Sequence, residues 1–260
     1  MTTHRKLSAE RPGWGPDFDY DEGRHLVAYR YAAELARGLH VLDAGCGEGM
    51  ATQTLADTAA SVLGVDYSED AVAAATERWR RPNLSFRRAD LTRPPADLGT
   101  FDLVLNFQVL EHIEDDQAFL EGLRLRVAPH GTLMLTTPNL LQSISENPVH
   151  VREYRPEELE ALLRRVFPNV TLLGVFASEK VRLFDQNRRR AIQRILRIDP
   201  LGVRHLLPKA ILYPVFARLG RIVRRQARRA GSGERITMAD FEIRSGDLRE
   251  ALDLVALCRH

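Results

Sequence analysis

Two cysteines in 260 residues, Cys46 and Cys258, are too few for a disulfide framework and fit a reducing compartment. No uncharged apolar run approaches the ~20 residues that cross a bilayer. The polar stretch from Met1 to Gly15 lacks the apolar core of a secretory signal. These absences predict a cytoplasmic protein whose contact with a membrane, if it has any, is peripheral. Aromatic residues are sparse, at 7%, and no internal repeat is found. Net charge is also small, +2, but it conceals an asymmetry. From Val181 to Arg235 there are 15 basic residues against 3 acidic, so the rest of the chain carries a balance of −10. The hydrophobic fraction, 44%, is ample for the core of one large α/β domain with an elaboration.

What is present is most specific at residues 41–49, Val-Leu-Asp-Ala-Gly-Cys-Gly-Glu-Gly. An apolar run ends in Asp43, glycines follow at 45, 47 and 49, and Met50 to Asp57 then reads as a helix. Glycines at such a turn let the backbone pass close beneath a ligand. The dinucleotide fingerprint spaces its glycines as Gly-x-Gly-x-x-Gly and sets a pyrophosphate at the helix N-terminus. Here the third glycine comes one residue early and Glu48 lies inside the turn, which suits a cationic or zwitterionic ligand better. Cys46 reads as a small packing residue, because no His or Lys follows closely to lower its pKa.

Further strands are predicted at Ser61–Val65, Leu84–Arg88, Phe101–Phe107, Thr132–Thr136, Val170–Phe176 and Ala251–Leu257. Helices are predicted over Glu22 to Arg37, Glu69 to Arg81 and Asp115 to Val127, with another opening at Pro156. Asp66 stands about 20 residues beyond the glycines, where a doubly wound fold places a carboxylate for ribose hydroxyls. Taken singly, Asp66 and Asp90 could equally be helix caps. In this order, the glycine turn, Asp66, Ala89-Asp90-Leu91, Phe-Asp-Leu-Val, Glu111-His112 and Pro-His-Gly-Thr-Leu resemble the Rossmann-like (class I) S-adenosylmethionine-dependent methyltransferases. Residues 24–139 resemble the small-molecule and glycan-directed branch.

The resemblance implies an α/β fold with a doubly wound, seven-stranded, mostly parallel sheet. Its last strand is antiparallel, and a helical basic insertion separates strands six and seven. The segments implied are an N-terminal cap (1–37), a methyltransferase core (38–178 with 248–260) and the insertion (179–247), which is expected to be a lid or substrate-binding element because strand six ends at the ligand face. The implied cofactor is S-adenosyl-L-methionine. It would be held by Tyr29 and Arg30 on the leading helix, by Asp43, Gly45, Gly47 and Glu48 around the glycine turn, and by Asp66 and Tyr67 at the ribose. Asp90 and Leu91 would hold the adenine, with Asn106 and Phe107 after strand four.

Methyl transfer from a sulfonium is mainly a matter of orientation, but the acceptor decides whether a base is needed. A phenol with pKa near ~10 ionises readily, whereas an aliphatic hydroxyl needs its proton removed as the new bond forms. Candidate catalytic groups are His112 after strand four, and His150 and Glu153 in the loop before Pro156. Each histidine has a structural alternative: His150 fixing its loop, His112 starting a helix. The Glu-His pair resembles that of quinone O-methyltransferases, some of which bind magnesium through Glu-x-x-Glu-His. Gln108 stands in the first glutamate's place, and a neutral amide is a weaker ligand for a hard cation, so no metal is expected.

Within the insertion, Pro208 to Ala230 reads as an amphipathic helix, with Leu212, Phe216, Leu219 and Val223 opposite Arg218, Arg221, Arg225 and Arg228. That helix either packs on the catalytic body, lies on an anionic membrane, or binds nucleic acid, the last disfavoured by the lack of interleaved aromatics. The Thr-Pro-Asn strand end, the Asn-Pro-x-His-x-Arg-Glu-Tyr loop and the insertion resemble bacterial enzymes of glycan assembly. The expected reaction is O-methylation of a sugar or other small acidic acceptor, phosphate- or lipid-linked acceptors included. Quinone or phenol O-methylation, RNA 2′-hydroxyl methylation and a non-enzymatic S-adenosylmethionine sensor stay open. Asn106-Phe107-Gln108-Val109 lacks the Asn/Asp-Pro-Pro-Tyr/Phe of base N-methylation, so nucleic acid is not the expected partner.

Overall fold

Short β-branched and leucine-rich runs alternate with amphipathic helices along the chain, a pattern that folds as a parallel sheet covered on both faces. The computed structural model describes residues 19–143, 149–196 and 235–260. In chain order the elements are α1 (Asp19–Leu35), β1 (His40–Ala44), α2 (Thr52–Leu55), β2 (Ser61–Asp66), α3 (Glu69–Arg78), β3 (Leu84–Arg88) and β4 (Phe101–Phe107). They continue with α4 (Asp116–Arg124), β5 (Val127–Pro138), α5 (Pro156–Val166), β6 (Asn169–Ala177), α6 (Glu179–Leu196), β7 (Phe241–Arg244) and β8 (Asp253–Arg259). The helix predicted over Pro208 to Ala230 lies outside the described residues.

The sheet runs β3-β2-β1-β4-β5-β8-β6-β7. Strands β1 to β5 pair in parallel, and β8 is antiparallel to both β5 and β6. The strand count is eight, not the seven expected. The extra strand, Phe241–Arg244, comes from the stretch read as purely helical insertion. Phe241 and Ile243 alternate with Glu242 and Arg244, but four residues are the shortest run that such alternation can mark as a strand.

The chain divides into two compact units, residues 25–176 with 242–260 in one, and 1–24 with 177–241 in the other. In the larger unit the core gathers Leu42, Val104, Leu133 and Leu135 from the sheet with Phe119, Leu120, Leu159, Leu163 and Phe167 from α4, α5 and the residue after α5. In the smaller unit Tyr20 packs against Phe184 and Phe241, with ring centroids 5.4 and 5.9 Å away. The Arg188 guanidinium lies 4.7 Å over the Tyr20 ring and is held by Asp185, 2.9 Å away.

Caps fix several helix starts. Ser68 and Asp115 accept the backbone N–H groups of Ala71 and Ala118, and Glu158 receives that of Arg155 beside Pro156. The helix expected over Met50 to Asp57 shrinks to Thr52–Leu55, and just past its end the Asn83 amide donates to the carbonyls of Ala56 and Ala59. The strand expected at Thr132–Thr136 extends to Val127–Pro138, with an irregular register opposite Phe101 and Leu103.

Candidate functional site

The parallel strands deliver their C-terminal ends to one edge, the place where open α/β sheets bind ligands. Asp43 and Ala44 end β1 there, Asp66 ends β2, and Asn106 and Phe107 end β4. The turn after β1 has Gly45, Gly47 and Gly49 at φ of +105°, +54° and +71°. Gly49 has a second constraint, since a Cβ there would lie 2.6 Å from the Phe86 ring. The turn is held from below and outside: the N–H groups of Gly45 and Cys46 donate to Val65 O, and the Trp79 indole donates to Glu48 O at 2.9 Å. Glu48 itself is exposed.

Asp66 is tied to this turn. Its Oδ2 accepts the Gly47 N–H at 2.9 Å and its Oδ1 that of Ser68 at 2.8 Å, so the carboxylate is fixed beside the glycines and half-buried. Asp43 is buried beneath them. Its Oδ2 accepts hydrogen bonds from Thr52 Oγ1 at 2.6 Å and Tyr29 Oη at 3.0 Å. Its Oδ1 is buried without a hydrogen-bond partner. Burial raises the Asp43 carboxyl to about 6 against the pull of those two donors, and burial with the nearby Asp43 charge raises the Tyr29 phenol well above its ordinary value.

A pH dependence follows from Asp43. An acid whose pKa is raised on folding is harmless below its unfolded value of 3.8 and costs stability as pH rises through about 6. The ligand-free wild type is therefore expected to lose about 3 kcal/mol between roughly pH 4 and pH 6 relative to Asp43→Asn. Thermal melts of both proteins across that range check this; parallel curves would show that the carboxyl titrates normally.

The other expected cofactor residues divide. Phe107 is buried and meets the Tyr29 ring edge-on at 4.9 Å. Asn106 is fully buried, donates to Ala44 O at 2.8 Å and so joins the ends of β4 and β1. Leu91 is buried, while Asp90 is exposed and accepts the N–H and hydroxyl of Thr92 at 2.9 and 2.6 Å. Tyr67 is half-buried and its carbonyl accepts from Arg88; Arg30 is exposed on α1. Cys46 is buried and its thiol is pushed well up by that burial, which removes it as a nucleophile.

Beyond β4, sequence-distant groups converge. Gln108 has a left-handed backbone, φ +56°, and its amide donates to Thr136 Oγ1 and Asp253 Oδ1, both at 3.3 Å. Glu111 and His112 lie in the 3₁₀ turn Leu110–His112. The Glu111 carboxyl is buried, accepts from Thr137 Oγ1 at 3.1 Å and is raised by that burial to about 8. His112 is lowered to about 4, first by burial, and its Nδ1 lies 3.3 Å from Val149 O. His150 sits against it, ring centroids 5.1 Å apart, with Nδ1 2.6 Å from Glu153 Oε1. Ser143 donates to the other Glu153 oxygen.

The loop carrying His150 is anchored firmly. The N–H groups of Val151 and Arg152 donate to Glu111 O, and Tyr154 Oη and Arg152 both reach Asp116 Oδ2, at 2.9 and 2.6 Å. The structure thus brings together all three expected catalytic residues, His112, His150 and Glu153. Sequence reasoning noted Thr137 at the end of strand five without giving it a role, and passed over Ser143 and Asp253. Asp253 had one signal, a carboxylate opening an otherwise apolar strand; its partner Gln108 is 145 positions away.

A mostly parallel sheet with a glycine turn after β1 and carboxylates at the ligand ends of β1 and β2 is the framework of Rossmann-like nucleoside-binding folds. Residues 35–188 match the methyltransferase domain family, and the chain belongs to it. The chain is 35% identical over 179 residues to a probable S-adenosylmethionine-dependent methyltransferase of Mycobacterium tuberculosis, covering 65% of each protein. It is also 35% identical over 147 residues to the ubiquinone biosynthesis O-methyltransferase of Rhizobium etli, covering 50% of this chain and 59% of that one. The [4+2]-cyclase SpnF shares the fold, with a TM-score of 0.57, 18% identity, and 96% of this chain and 85% of that one covered. The residues present fit S-adenosylmethionine: an open turn at Gly47, an unpartnered buried oxygen on Asp43 and a fixed carboxylate at Asp66.

Proposed function

We propose that the protein methylates a hydroxyl oxygen of a small acceptor, a sugar or glycan hydroxyl being the reading its residues favour. The observation that supports it is the His150–Glu153 pair, 2.6 Å apart, packed beside His112 and Glu111. An aliphatic hydroxyl needs a base, and an imidazole backed by a carboxylate is a base held in one orientation.

Bound against the glycine turn, S-adenosylmethionine supplies a methyl group on a positively charged sulfur. Asp66 would accept the ribose hydroxyls, Asp90 with the Leu91 backbone would bound the adenine, and Asp43, oriented by Tyr29 and Thr52, would face the methionine end. His150 Nε2 takes the acceptor proton, while Glu153 holds the ring and stabilises its charged form. His112, kept neutral by burial, adds no second positive charge beside it. The arginine surplus of 181–235, a property of the sequence alone, is the ground for including in the proposal acceptors that bear phosphate or another acidic group, linked to lipid or free.

The Rhizobium relative's name favours a second reading, a quinol or phenol acceptor, which has less need of a base. The cyclase shows that the fold alone does not fix the reaction, so the test is chemical. The full chain is incubated with S-adenosylmethionine and panels of glycans, sugar phosphates and catechols, and S-adenosylhomocysteine and product mass are followed. Expected is one methyl group gained per S-adenosylhomocysteine formed on a sugar hydroxyl. Turnover of catechols alone would replace this reading with the second, and binding without turnover would point to a sensor.

A further inference from the structure

Gln108 is the first residue past β4, and among the described residues it is the one non-glycine residue on a left-handed backbone, φ +56°. Glycine takes that conformation without strain, so a glutamine there marks a place where the side chain is used. We propose that Gln108 selects the acceptor. Its amide oxygen accepts a hydrogen bond from a second hydroxyl of the molecule being methylated, so the preferred acceptor is a polyhydroxy compound.

The amide is oriented as well as placed. Its nitrogen donates to Thr136 Oγ1 and to Asp253 Oδ1, both at 3.3 Å. A carboxylate accepts and does not donate, so the buried Asp253 fixes which end of the amide is the NH2. Oε1 then turns away from Asp253 and Thr136, and no described residue donates a hydrogen bond to it. The backbone is pinned too, the Gln108 N–H donating to Thr136 O at 2.9 Å. Gln108 is half-buried, so its free oxygen remains within reach of a ligand.

The position suits contact with an acceptor. Val109 presses on the glycine turn, for a Cβ at Gly45 would collide with Val109 Cγ2. Glu111 and His112 follow in the 3₁₀ turn, and His150 packs against His112. Five residues thus carry the oriented amide, the contact with the turn that would hold the methyl donor, and the contact with the proposed base. The role rests on the hydroxyl reading above. The reacting hydroxyl loses its proton to His150 as its oxygen takes the methyl group; the second keeps its proton and donates it to Oε1. With the acceptor seated, Oε1 is shut off from water, and a molecule lacking the second hydroxyl leaves it unpaired.

Matched pairs of acceptors are the probe: methyl hexopyranosides against their monodeoxy analogues, and catechol against phenol. The full chain, saturated with S-adenosylmethionine, gives kcat and KM for each member in the wild type, Gln108→Met and Asp253→Asn. Calorimetry with S-adenosylhomocysteine checks that each variant is folded. Expected in the wild type is a preference of roughly 10-fold in kcat/KM for the member with the second hydroxyl. Gln108→Met, similar in length but without the oxygen, should bring the pair to parity with cofactor affinity retained. Asp253→Asn, which can meet the Gln108 amide at either end, should fall between. A residue that only braces the strands would lower turnover of both members alike and leave their ratio unchanged. Equal use of both members by the wild type, or a preference that survives Gln108→Met, overturns the role and leaves hydroxyl methylation standing. Should Gln108→Met fail to bind S-adenosylhomocysteine, an unchanged ratio in Asp253→Asn overturns it instead. No turnover of any pair, with S-adenosylhomocysteine bound normally, overturns the hydroxyl reading and this role with it.

Discussion

Asp66→Ala lowers the affinity for S-adenosylmethionine roughly 100-fold, the expected cost of two hydrogen bonds to a charged acceptor at ~1.5 kcal/mol each. The effect has two sources in the structure. The carboxylate closes β2 at the ligand edge, where its remaining lone pairs would meet the ribose hydroxyls. It also accepts the Gly47 N–H at 2.9 Å and the Ser68 N–H at 2.8 Å, so the glycine turn is shaped partly by this side chain. Asp66→Asn separates the two, since its one carbonyl oxygen can replace only one of those acceptors. Calorimetry with S-adenosylhomocysteine checks both variants. If Asp66→Ala binds as the wild type does, the ribose assignment is wrong and the side chain is only a brace for the turn.

The cofactor half of the site was legible because its geometry is local. A strand, a glycine turn and a carboxylate one strand later follow from spacing, and Leu84–Arg88 and Phe101–Phe107 have the predicted bounds. Phe101–Phe107 is buried over most of its length and is marked by its apolar run, whereas Leu84–Arg88 is mostly unburied and is marked by the alternation of Leu84 and Phe86 with polar neighbours. The acceptor half was less legible, because its contacts join residues far apart in sequence. His112 and His150 were recognisable as chemistry-bearing types, but that their rings lie 5.1 Å apart depends on Glu111 O capturing the loop at Val151 and Arg152. Strand β7 escaped notice for a different reason: an edge strand with two charged side chains of four looks like a loop.

His150→Ala is expected to lower kcat by roughly 10²- to 10⁴-fold while leaving cofactor affinity unchanged, the range for loss of a positioned proton acceptor. An effect on S-adenosylhomocysteine binding would argue for a folding defect. The Glu153→Gln protein sharpens the test. Its amide can still hold the ring by one hydrogen bond, 2.6 Å in the wild type, but no longer stabilises the protonated imidazole. A base is therefore expected to lose activity in two grades, severe for His150→Ala and intermediate for Glu153→Gln. Added free imidazole should restore part of the turnover of His150→Ala, because the deleted ring leaves space beside His112 and Glu111. Single-turnover rates with saturating cofactor separate this from acceptor binding. Full activity in His150→Ala would reduce the histidine to a prop for its loop, with the acceptor then one acidic enough to ionise unaided.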